Sequence, residues 1–238
     1  MKRIKQNTNA ELLKWIWSYN EQLILLDRHD AYWIEQAKSG WKDKDAFRTF
    51  LSTYGLFRGK AGKFLSKHQT KFINVCNDYF SKPLSVGDFS GAQKTWESAV
   101  SELRGKKSNT DDVSFWSATL KAFWFYHPDK LPMYDKYARI ALEQLRVNND
   151  FLLDDSLLFP KRSVRPENFL LVFGEFYNQY AKDKIKQAKQ YVHRDYKYKR
   201  RVADKYLWLH GFGAVTGSTS RTIDTYKLSL KMAPQKLN

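Results

Sequence analysis

Cysteine is almost missing from the chain. Cys76 is the only one in 238 residues, which excludes an internal disulfide framework and any cysteine-rich zinc or iron–sulfur site. A reducing, cytoplasmic setting is the expectation that fits. No run of 18 apolar residues occurs, so no membrane-spanning helix and no membrane partner are expected. The basic start Met1-Lys2-Arg3-Ile4-Lys5 is followed by apolar residues interrupted by Lys14, Asn20 and Glu21, unlike a signal-peptide core. The histidines at 29, 68, 127, 193 and 210 lack ligand spacing, so neither a metal site nor a cofactor is expected. Strand alternation, internal repeats and low-complexity linkers are also missing.

Aromatic side chains and positive charge are abundant. With 42% hydrophobic and 16% aromatic residues the chain is too rich in rings for a disordered basic tail, and ordered packing is expected. The formal charge of +16 and a pI near 9.7 attract polyanions at long range, and nucleic acid is the commonest such partner. Acidic proteins and membrane surfaces are the other partners that such a charge suits.

Helical periodicity dominates, and the expected fold class is all-α. Leu12, Leu13, Ile16, Trp17, Leu23 and Leu26 repeat at three and four residues behind Asn9 as a cap. Segments 30–38, 45–54 and 63–80 each end at a stop signal, Gly40, Gly55 and Lys82-Pro83 respectively. Residues 92–104 form a further helix, 113–126 a helix apolar almost all round and therefore central, and 136–146 a helix capped by Asp135. Pro166 opens a long helix with Phe169, Leu170, Phe173, Phe176, Tyr177 and Tyr180 along one stripe. A last helix over 196–210 ends at Gly211, and the tail from Thr216 is loop. One helical domain over 1–238 is expected, with candidate lobes 1–82 plus 150–238, and 88–148.

Pro132-Met133-Tyr134-Asp135 forms a sharp break between the central helix and the next one. An aspartate at a helix N-cap accepts backbone N–H groups at the positive end of the helix dipole, which fixes its direction. A cap alone is the plain reading; a carboxylate held for electrostatic work is the other. The turn, with Arg139 four residues on and Ile140 and Leu142 beyond, resembles the catalytic segment of the helix-hairpin-helix DNA glycosylases over about 30 residues. That resemblance implies a glycosylase-like helical fold, double-stranded DNA with a flipped-out base as partner, and Asp135 as the residue that stabilises oxocarbenium charge and orients water. Eighteen residues before the aspartate the family carries either a Schiff-base lysine or another residue in purely hydrolytic members. Ser117 stands there, which implies a monofunctional enzyme, with Lys121 one turn on along the same face.

Base flipping needs apolar or aromatic walls. Trp116, Tyr134, Trp33, Trp41 and Trp208 are the candidates, with an ordinary core role as the alternative for each. The family's Leu-Pro-Gly-x-Gly hairpin is replaced by 105–112, where Lys106 and Lys107 are candidate phosphate contacts. Arg58, Lys60 and Lys63 flank Gly59 and Gly62 in a loop suited to phosphate, and Lys136 and Arg139 complete the expected DNA contacts. Residues 194–201 interleave tyrosines with cations, and 201–211 resemble a segment of bacterial proteins linked to phage defence, which implies a substrate such as a hypermodified phage cytosine. His193-Arg194-Asp195 lacks the rest of a kinase signature, and 211–218 lacks the strand of a P-loop. The reading is a DNA N-glycosylase, expected as a monomer. The alternatives are a non-catalytic DNA-binding or sensing module and, lacking an acidic metal cluster, a nuclease.

Overall fold

The computed structural model describes residues 9–56, 65, 67–104, 113–148, 150–152 and 164–216. Among them every regular element is helical. In chain order these are α1 (Ala10–Leu25), a π turn (Leu26–Asp30), α2 (Ala31–Lys38), α3 (Lys44–Thr53), α4 (Gln69–Phe80), α5 (Phe89–Arg104), α6 (Val113–Tyr126) and α7 (Lys136–Val147). A 3-10 turn (Pro166–Asn168), α8 (Phe169–Phe176), a second π turn (Tyr177–Ala181), α9 (Lys182–Lys189) and α10 (Lys199–Thr216) complete the order. The all-α expectation holds.

Two units divide the chain, and their boundaries differ from the expected lobes. The described residues of 27–134 and 165–174 form one, and those of 1–26, 135–164 and 175–238 form the other. The division falls inside two helical runs, between Tyr134 and Asp135, and between Val164 and Arg165 ahead of the 3-10 turn.

The unit of 27–134 is built on aromatic packing. Central α6 is buried on nearly all sides, as its apolar composition requires: Ala118, Leu120, Ala122, Trp124 and Phe125 are each 0% exposed. Phe80 stacks on Phe123 at 4.2 Å, and Phe50 meets Phe125 edge-on at 5.1 Å. The amide of Gln93 ties α5 to the 3-10 turn and α8, donating to the Pro166 carbonyl at 3.0 Å and accepting the Leu170 N–H at 3.1 Å. Helices α2 and α3 end where Gly40 and Gly55 take φ of 77° and 64°, as their stop signals require. Asp30 precedes α2 without a side-chain capping bond. It lies inside the turn that joins α1 to α2, buried, with its Oδ1 accepting the Tyr54 hydroxyl at 2.5 Å and 2.7 Å from His29 Nδ1. The helix expected over 63–80 has a non-helical residue at His68, φ −128° and ψ 38°, so α4 starts at Gln69.

In the unit that contains both termini, α1 lies among α9 and α10. Trp15 stacks on Tyr206 at 3.9 Å and 8° and lies 6.4 Å from Phe176. Beside these rings the Glu11 carboxylate accepts the Trp15 indole N–H at 3.2 Å, the Tyr180 hydroxyl at 3.2 Å and the Tyr206 hydroxyl. The apolar stripe behind Pro166 is present but not as one continuous α-helix. The second π turn inserts within it, and a π insertion shifts the helical phase of the residues after it.

Gly211 does not end α10. The helix continues through it to Thr216, because Gly211 lies in the interior of the α7–α10 contact: a Cβ there would overlap the Tyr137 carbonyl oxygen and lie 2.8 Å from the carbonyl carbon. Helix propensity favours alanine over glycine by about 1 kcal/mol, yet this backbone leaves no room for a methyl group. Gly211→Ala is therefore expected to destabilise the chain by about 1 to 2 kcal/mol net, measured by urea denaturation; a variant as stable as the parent would contradict the close approach.

Candidate active site

Asp135 is the N-cap of α7. Its backbone is extended, φ −142° and ψ 153°, and its Oδ1 accepts the Tyr137 N–H at 2.8 Å. The bond satisfies one of the donors that every helix start leaves open, and it points the carboxylate along the positive end of the α7 dipole. The side chain is half-buried.

Near it stand charged side chains from α10. Asp204 is 1% exposed, and Arg201, one turn earlier on α10, bridges its Oδ2 through Nη1. The other oxygen, Oδ1, is buried with no hydrogen-bond partner among the described residues. Burial pushes the Asp204 carboxyl up, Arg201 opposes this and the nearby Asp135 adds to it, with a result of about 6. Lys205 comes next, its Nζ 4.4 Å from the centroid of the Trp208 ring and 5.0 Å from that of Trp17. Burial lowers its pKa, while Glu21, Asp204 and Asp135 oppose that shift. On the same contact Tyr137 meets Trp208 edge-on at 6.0 Å and Phe212 at 5.3 Å, and Trp208 stacks on Phe212 at 5.2 Å. The arrangement is a pair of carboxylates within electrostatic reach, one fixed at a helix start and one buried, with two cations and an aromatic wall.

The other expected site residues fall in different places. Trp208, Lys136 and Arg139 share the unit of Asp135. Trp208 is half-buried and Lys136 is exposed. Arg139 is engaged structurally, its Nη1 donating to the Val164 carbonyl at 3.2 Å and lying 3.9 Å from Glu143. Ser117, Lys121, Trp116, Tyr134, Trp33 and Trp41 belong to the other unit. The Ser117 hydroxyl donates to the Tyr134 carbonyl at 3.2 Å, so its observed task is to hold the turn that precedes Asp135. Lys121 is half-buried one turn along α6.

Four of the five rings proposed as pocket walls are core residues. Trp33 and Trp41 pack 6.3 Å apart against Phe50, Trp116 meets Trp96 edge-on at 4.9 Å, and Tyr134 meets Phe169 at 4.8 Å. The physical reason is size, since large rings contribute most when fully removed from water. Arg58, Lys60, Lys63, Lys106 and Lys107, with the whole segment 105–112, lie outside the described residues.

Among the described residues, two of the clefts lie away from Asp135. One of about 370 Å³ is lined by Glu143, Gln144, Val147, Asn148 and His210, at the far end of α7. A second of about 360 Å³ in the other unit is lined by residues that include Asn77, Tyr126 and His127. Among the described residues no group of three or more His, Cys, Asp or Glu side chains is placed to hold a metal ion, and no helix is long and apolar enough to cross a membrane. The chain matches no family model, no curated protein and no solved structure.

The signal for Asp204 was present in the sequence. Arg201 and Asp204 are three apart on a helix, the spacing of an ion pair, and they fall in its buried register with Ala203 and Leu207. The pH dependence of stability reports on it. The unfolded carboxyl titrates near 3.8 and the folded one near 6, so between these values the folded chain holds a proton that the unfolded chain has released. Folding stability from this group is full below the window and is lost as pH rises through it. Relative to Asp204→Asn, the parent should lose about 2 to 3 kcal/mol between pH 4 and pH 6, measured by denaturant titration. Parallel pH profiles would refute the assignment.

Proposed function

We propose that the chain hydrolyses the N-glycosidic bond of a modified or damaged base in DNA, leaving an abasic site, with Asp135 as the carboxylate on which the reaction turns. One observation carries this reading: Asp135 is fixed by its capping bond to Tyr137 beside a second, buried carboxylate, Asp204, and the cations Arg201 and Lys205. Loss of the base leaves positive charge on the sugar. A carboxylate held in advance stabilises that charge without reorganising during the step and can orient water toward the anomeric carbon. The +16 charge supplies attraction to the polyanionic substrate. Ser117 in the place of a Schiff-base lysine favours hydrolysis without a covalent adduct, and the resemblance of 201–211 to phage-defence proteins favours a hypermodified cytosine among the substrates.

A second reading is favoured by the capping bond itself. If Asp135 serves only as a cap, the chain is a DNA-binding or sensing module without chemistry.

The two readings part on one substitution. Asparagine caps helices about as well as aspartate, so Asp135→Asn keeps the fold and removes the charge. Excision from a panel of damaged and phage-modified duplexes, read as free base and abasic sites by mass spectrometry, should fall by roughly 100-fold or more. Lys121→Ala should leave it unchanged. Full activity in a folded Asp135→Asn protein rules out the glycosylase mechanism, and no abasic product from any duplex supports the binding module.

A further inference from the structure

Residues 182–200 carry eight lysines and arginines against two aspartates, an excess of six out of a net +16, within 19 residues. That concentration distinguishes the segment from charge spread evenly over a surface. Structure adds three features. Lys182, Lys186 and Lys189 are exposed on α9 at spacings of four and three, hence on one face, while Ile185 and Ala188 are buried on the other. Several cations rest on tyrosine rings: Lys182 and Arg200 over Tyr177 at 5.7 Å and 4.9 Å, Lys184 over Tyr180 at 5.5 Å and Lys197 over Tyr198 at 4.8 Å. Such seating restrains side chains that would otherwise lose rotamer freedom on binding.

The carboxylates, meanwhile, are too few to neutralise the face. Asp195 is already taken, accepting from Tyr19 at 2.5 Å and from Lys189 at 3.0 Å and pairing with Lys199. Asp183 is the segment's other carboxylate.

We infer that the face formed by α9, the loop to residue 198 and the first turn of α10 grips the phosphate backbone of double-stranded DNA. Charge complementarity selects a polyanion. A membrane surface is disfavoured because the apolar residues of α9 point into the protein, and an interfacial helix needs them outward. Position selects DNA, on the reading of Asp135 given above: Arg200 and Asp204 are i, i+4 neighbours on α10, so the basic face begins one turn from the carboxylate pair. Lys182, Lys186 and Arg200 are the cations that would hold the phosphate backbone. The contacts carry no base information, which leaves specificity to the site itself.

The test measures binding and not excision, so it stands or fails apart from the proposed chemistry. Binding of an unmodified duplex is monitored by fluorescence anisotropy from about 50 to 200 mM salt. Neutralising Lys182, Lys186 and Arg200 to glutamine together should lower the slope of log K against log salt by roughly 2 to 3, about 0.9 for each lost phosphate contact, and weaken binding more than about tenfold. The control neutralises Lys67, Lys71 and Lys94, exposed lysines of the other unit, and should change the slope far less. Equal effects of the two triple variants, an unchanged slope in a folded first variant, or preferential binding of anionic-lipid vesicles through the same residues would each overturn the inference.

Discussion

The candidate site depends on a missing side chain. With no Cβ at Gly211, α10 lies directly on the backbone of α7 at the Tyr137 carbonyl. That contact is two residues from Asp135, and it fixes which part of α10 faces the start of α7. One and two turns back along α10 stand Trp208 and Asp204, and both reach the cap, Trp208 through the ring of Tyr137 and Asp204 through its charge. A helix held off by a methyl group or more would move Asp204 and Lys205 away from Asp135 and weaken every electrostatic interaction among them. Glycine in a helix interior is unfavourable by propensity, so its position here is understood from packing alone.

Aromatic density explains much of the remaining architecture. Rings as large as Trp15, Trp41, Trp96 and Trp124, all exposed by 1% or less, do not interdigitate along straight helices of uniform pitch as small aliphatic side chains do. The two π turns and the left-handed conformation of Trp41, φ 52°, are local departures from regular backbone next to such rings. In the unit of 27–134, Trp41 completes a cluster with Trp33, Phe47 and Phe50. The strain of a non-glycine residue at positive φ is of order 1 to 3 kcal/mol, comparable to what burying an indole contributes.

Period and punctuation made the helices legible. Asn9 caps α1 through its side chain, accepting the Glu11 N–H at 2.7 Å, Asp135 caps α7, and the apolar circumference of 113–126 marks α6 as central. The sequence pattern misled where tertiary packing overrides a local signal. Gly211 reads as a stop because a glycine after an apolar run usually is one, and nothing in one dimension reveals the carbonyl of Tyr137 beneath it. The tryptophans proposed as pocket walls read equally as core, and burial decides for the core in four of the five rings. Within the site, Asp135 was legible from its turn, whereas Asp204 was hidden as one charge in a basic, charge-rich helix. Only its register, shared with Ala203 and Leu207, separates it from the exposed ions around it.

A second carboxylate in the same unit shows what a purely structural acid looks like here and why Asp204 differs. Burial pushes the Glu11 carboxyl up, but hydroxyl donors from Tyr206 and Tyr180 and the charge of Lys14 outweigh it, and the net shift is downward. Its role is complete within the fold: it binds α1 to the rings of α10 and of the second π turn. Asp204 is buried more deeply, yet it has a partner for one oxygen only, beside another carboxylate that raises it further. An ion pair of this kind contributes little to stability beyond what an apolar pair of equal volume would give, and leaving a buried oxygen unpartnered adds a penalty. Folding therefore does not account for an aspartate at this position. What sets it apart is its place beside Asp135: two carboxylates on one helix contact, one capping α7 through the Tyr137 N–H and one buried against Arg201.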